Sequence, residues 1–204
     1  MRNTSIALCL MLSTVGETAA AAAPPEPVPA ASPWAAWSRT RPISPGAITL
    51  LKDAVDHSAI VEDLLEQIER TDLVVYLTDS MPGVFVGPKS TMVFLSGDTA
   101  NRYLLIRLDA KRLPQPERIA ALGHELHHAL EVASAPEVKG ASDLAGLYRR
   151  IGWETSKGRF ESRGAQATGL RISKHLGKRD RGERIARAED GVAAPPAAGG
   201  PSHH

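Results

Sequence analysis

The sequence predicts an α+β domain with segregated elements, and three observations predict it. Apolar residues recur at three- and four-residue steps over residues 45–70 and again over 116–133, the period of amphipathic helices. Short β-branched runs cluster between those stretches instead of alternating with them, which argues against an alternating parallel fold. Apolar residues make up 43% and charged residues 23% of the 204-residue chain, which is globular composition rather than disordered or fibrous.

The elements follow in order. Residues 1–23 carry Arg2, then an apolar run from Ile6 to Val15, then Glu-Thr and a run of alanines. That is the charged start, apolar stretch and small-residue cleavage region of a signal peptide. The apolar run is too short to span a bilayer, which needs ~20 residues. The expected location is therefore secreted or periplasmic. Cys9, the only cysteine, lies inside this segment, so the exported chain has no disulfide to rely on. Residues 24–45 are Ala- and Pro-rich and are expected to form a linker or pro-segment. Trp34 and Trp37 suggest that this segment is pinned to the domain.

The domain itself is expected over 46–177. A helix covers roughly 45–70, with Val55, Ile60, Val61, Leu64, Leu65 and Ile68 on its buried face. Strand-like runs follow at 73–77, 84–86, 92–95 and 103–108, with a turn at Gly97-Asp98. Pro116 suits the first turn of the next helix, to about Ala133, and Pro136 stops it. Two more helices are expected at about 141–151 and 160–176. Residues 178–204 mix charge with Pro, Gly and Ala, and are expected to be disordered.

The charge balance excludes one class of partner. The formal net charge is +1 and aromatics are 4%, so neither a basic footprint nor a base-stacking surface for nucleic acid is present. No other apolar run is long enough to span a membrane.

The helix at 116–133 contains Gly-His-Glu-Leu-His-His-Ala-Leu-Glu. His124 and His128 are four apart and so share one helix face, where both imidazoles can reach one ion at roughly 2.0–2.1 Å. Glu125 lies about 100° round the helix, beside the ion without binding it, where a general base stands to take a proton from a metal-activated water. With 7 histidines and 13 glutamates in 204 residues, chance gives roughly 0.015 occurrences of HExxH, so the motif demands an explanation. A ferritin-like di-metal site needs a second Glu-x-x-His pair, and the sequence has no other.

A catalytic zinc needs a third protein ligand. The continuation HExxHxxGxxH fails here, because Glu131 and Ser134 stand at the Gly and His positions. Downstream candidates are Glu131, Asp143, Glu154 and Glu161. Glu131 shares the helix but projects off the His128 direction. Asp143 suits a helix start, and Glu154 lies in a Gly- and Lys-rich turn. Glu161 opens an expected helix, with the small Ala165 one turn later, and is the preferred ligand.

With these residues the chain resembles a small zincin metallopeptidase of the gluzincin type, over about residues 70–175. The resemblance rests on HExxH and on Glu161 with Ala165. It implies a zincin-like fold: a small mixed sheet of about three to four strands packed on the HExxH helix, followed by further helices. It also implies that the 92–95 strand is the antiparallel edge beside an extended substrate. The expected activity is hydrolysis of a peptide or protein substrate, with Zn2+ held by His124, His128 and Glu161 and Glu125 as base. No motif clearly supplies a transition-state donor; Tyr148 and His175 suit the role only by residue type. The alternative is a non-catalytic zinc protein of the envelope or exterior, in which the metal supports a domain without disulfides.

Overall fold

The computed structural model describes residues 37–79, 90–109, 113–156 and 158–190. The signal peptide expected at 1–23 and the strand expected at 84–86 lie outside the described residues. Among those described, five helices accompany a four-stranded mixed sheet and a separate two-stranded one.

The chain enters through β1 (Thr40–Pro42), inside the segment expected to be a linker, and Trp37 packs against the core just before it. β1 pairs in parallel with β2 (Leu73–Thr78). Its signal is invisible locally: three residues with arginine in the middle gain their strand character only from a distant partner. Ser44 then caps α1 (Pro45–His57), its Oγ accepting from Ala47 N. The helix expected over 45–70 is in fact two. Ser58 ends α1 by giving its N–H to the Ala54 carbonyl, and its Oγ accepts from Val61 N to start α2 (Ala59–Glu69). A hydroxyl that serves backbone donors competes with continuous helix.

β3 (Ser90–Gly97) and β4 (Arg102–Leu108) form an antiparallel pair, and β4 lies parallel to β2. The sheet order is β1-β2-β4-β3, so β3 is an edge strand. Asp98 shapes the β3–β4 turn: its Oδ1 accepts from Ala100 N and Asn101 N. The HExxH helix, α3 (Gln115–Ala133), packs on the sheet and shares one hydrophobic core with α1, α2 and α4 (Ala141–Ile151).

Arg102 sets the end of α3. It is 1% exposed. Its guanidinium grips Asp72 with two bonds of 2.7 Å and donates to the carbonyls of Val132, Ala133 and Ala135. A buried cation thereby satisfies carbonyls left over at the helix C-terminus.

The last third departs most from expectation. Residues 152–156, expected as a turn, form β5 (Gly152–Ser156), paired antiparallel with β6 (Arg159–Ser162). The helix expected from 160 starts only after β6, as α5 (Arg163–Asp190), and passes well beyond 177 into the segment expected to be disordered. Lys, Arg, Glu and Ala have high helix propensity, which suits the continuation of the helix through this charged stretch. Gly152 faces β6 at close range, where a Cβ would overlap the Glu161 carbonyl oxygen. Among the described residues no helix is long and apolar enough to cross a membrane.

Candidate metal centre

α3 turns His124, Glu125 and His128 inward, and β6 brings Glu161 to meet them. All four are buried, none more than 4% exposed. His124 Nε2 and His128 Nε2 each lie 3.3 Å from Glu161 Oε1. Two donors held about 2.0–2.1 Å from one tetrahedral ion stand roughly 3.3–3.4 Å apart. Two edges of the triangle therefore already fit a bound cation. One ligand atom from each residue falls within 4.8 Å of the others. His124 Nε2, His128 Nε2 and Glu161 Oε2 have no hydrogen-bond partner, and buried polar atoms are rarely left so. The two unpartnered Nε2 atoms and the Glu161 carboxylate, whose Oε1 also accepts from Ser162 N, converge so that they could hold one ion. Among the described residues no other group of three His, Cys, Asp or Glu is so arranged.

The histidines are aimed from behind. His128 Nδ1 lies 2.7 Å from Glu131 Oε2, and Glu131 Oε1 accepts from Ser162 Oγ at 2.5 Å. Ser162 Oγ in turn accepts from Ala165 N at 3.1 Å, capping α5. The His124 ring hydrogen-bonds the Ala165 backbone. Partners of this kind orient metal-binding imidazoles. They tie α3, β6 and α5 into one frame.

The electrostatics are those of a cation pocket. Burial drives the His124 imidazolium down to about 2, helped by the nearby His128 charge. Burial also opposes the charge on His128, yet Glu131 and Glu161 outweigh it and push His128 up to about 9. Burial raises Glu125 to about 7, against the pull of His128 and Ser90. Ser90 Oγ donates to Glu125 Oε1 at 2.6 Å, while Oε2 has no partner.

No family model, curated protein or solved structure matches this chain. Its chemistry must follow from its own donors. Two imidazoles and a carboxylate, with a second buried carboxylate beside them, can hold one divalent ion and accept a proton next to it.

The other sequence candidates stand apart from this group. Glu154 is exposed on β5 and accepts from Gly158 N. Asp143 is exposed in the first turn of α4, where it accepts from Lys139 N. Glu131 partners His128 rather than joining the triad. Tyr148 packs edge-on against the His128 ring and donates its hydroxyl to the His128 carbonyl at 3.2 Å. His175 is exposed on α5. Sequence reasoning missed Ser90, Ser162 and the partnership of Glu131. Only Ser90 carries a local signal, a hydroxyl in a strand row that is otherwise apolar.

Proposed function

We propose that the protein is an exported zinc-dependent metallopeptidase of the gluzincin type. The observation that carries this reading is the convergence of His124, His128 and Glu161 beside a second buried carboxylate, Glu125, whose Oε2 has no partner. His124, His128 and Glu161 hold the ion, and the mixed nitrogen and oxygen donor set with 3.3 Å edges suits Zn2+. Zinc in this site would supply Lewis acidity at a water and at a peptide carbonyl.

The chain's own residues do the rest. Glu125 Oε2 accepts the proton of the attacking water as the new C–O bond forms. It then gives that proton to the departing amine as the C–N bond breaks. Burial raises the Glu125 carboxyl, which makes it a stronger proton acceptor than an exposed glutamate. β3, the antiparallel edge of the sheet, offers its free backbone groups to an extended peptide. Tyr148 is given no catalytic role, because its hydroxyl is committed to the α3 backbone. Export rests on the reading of residues 1–23 as a signal peptide.

The burial of all three donors favours a second reading, a non-catalytic zinc protein. Glu125 speaks against it, since a structural site gains nothing from a second buried carboxylate with one oxygen left unpartnered. One experiment separates the two. Glu125→Gln should keep its zinc and lose at least ~10²-fold in rate, and a chelator should stop the wild type until zinc is restored. The chain from residue 37 onward should be assayed too, so that an inhibitory N-terminal segment is removed without losing β1. A zinc-replete wild type that cleaves nothing in a broad peptide library, in either form, would establish the non-catalytic reading.

A further inference from the structure

The inward face of β3 is almost wholly apolar. Ser90, Met92 and Phe94 alternate onto one side of the strand, opposite Leu108, Ile106 and Leu104 of β4. Met92, Phe94 and all three β4 partners belong to the main core. Ser90 is the one hydroxyl in this row, and it is 0% exposed. A hydroxyl at such a position is costly unless it is paired. Its partner is the Oε1 of Glu125, reached across the space between sheet and helix. At 2.6 Å the contact has the length of a charge-assisted O–H···O bond.

A carboxylate has a soft terminal torsion with broad wells. Left alone, Glu125 could present either oxygen, or neither, to the metal side. We infer that Ser90 is the positioning residue of Glu125: by holding Oε1 it locks the carboxylate plane and leaves Oε2 as the proton acceptor. This inference rests on the metallopeptidase reading for its kinetic consequence, but its structural consequence stands without it. The side chain acts through Glu125 and does not touch the metal ligands. Its place on the edge strand couples the base to the strand proposed to line the substrate, so both are set by one element.

The test uses the full zinc-loaded chain as wild type, Ser90→Ala and Ser90→Thr. Zinc content should be equal in all three. In crystals of Ser90→Ala the Glu125 carboxylate should rotate or split between orientations, whereas in Ser90→Thr it should keep the wild-type plane. In turnover, Ser90→Ala should lose roughly 10–100-fold in kcat, the scale of a misplaced catalytic group. KM should hardly move, and Ser90→Thr should recover most of the rate because it keeps the hydroxyl. Should Ser90→Ala fail to fold, Ser90→Cys, which keeps the size and weakens the hydrogen bond, carries the same comparison. An unmoved Glu125 carboxylate in the hydroxyl-free variant, or a kcat within about twofold of wild type, would overturn the inference. A wild type without any turnover would instead sink the peptidase reading, and the orientation of Glu125 would still decide the role of Ser90.

Discussion

Glu161 reaches the two histidines from a strand. Its backbone is fixed by the β5 pairing and by the close approach of Gly152 to its carbonyl oxygen, and its carboxylate by the Ser162 N–H donating to Oε1 at 2.8 Å. Glu154, seven residues earlier, spends one oxygen on the β5–β6 turn at the surface. Glu161→Ala should therefore abolish stoichiometric zinc in the purified protein, while Glu154→Ala should keep it. Metal analysis after extensive dialysis reads the difference, and equal retention in the two variants would contradict the assignment. At this scale the sequence shows a good deal. The helical period alone puts His124 and His128 on one face with Glu125 beside them. In the sequence Glu161 suits the ligand role on a different ground, an expected helix opening near Ala165. The residue does meet the histidines, but from β6, and the helix starts two positions later. The four residues of β6 carry too little pattern to be seen without β5.

α3 owes its place to contacts that no local pattern shows. Its C-terminal carbonyls fall on the Arg102 guanidinium, and Arg102 is held in turn by Asp72 at the start of β2. In the sequence Arg102 is one more charged residue before an apolar run, because a buried arginine is defined by partners about thirty residues away on either side. The bonds from Arg102 hold the Asp72 carboxyl below its usual value, against an upward push from burial that exceeds the pull of the Arg102 charge. A carboxyl depressed in the folded state stabilises fully above its unfolded value near 4, and that stabilisation is lost as pH falls through the folded value. Asp72 is 38% exposed, so screening limits its worth to about 1 kcal/mol. Urea midpoints should place Asp72→Asn below the wild type at pH 7, with the gap narrowing as pH falls below about 4. A gap that stays constant over that range would mean the pair contributes nothing as an ion pair. The single helix expected over 45–70 misled for a related reason. Both halves keep the 3.6 period, and only the capping role of Ser58 separates them.

On the scale of the whole molecule, the candidate metal centre joins parts that lie far apart in the sequence. His124 and His128 come from the helix on the sheet, and Glu161 from the β5–β6 hairpin that leads into α5. The segregated α+β plan was legible, since helical and strand periods occupy different stretches of chain. The parallel pairing of β1 with β2 was not, because β1 lies in a proline-rich segment and its partner is more than thirty residues away. Without disulfides to constrain it, a domain of this plan gains stability from any ion that binds only the folded state. The central claim is that His124, His128 and Glu161 bind one zinc ion together. The most direct measurement is anomalous diffraction across the zinc absorption edge from crystals of the zinc-loaded chain. One peak per chain is expected, about 2.0–2.1 Å from His124 Nε2, His128 Nε2 and a Glu161 oxygen. Stoichiometric zinc with its anomalous peak elsewhere, or with no peak between these three side chains, would contradict it.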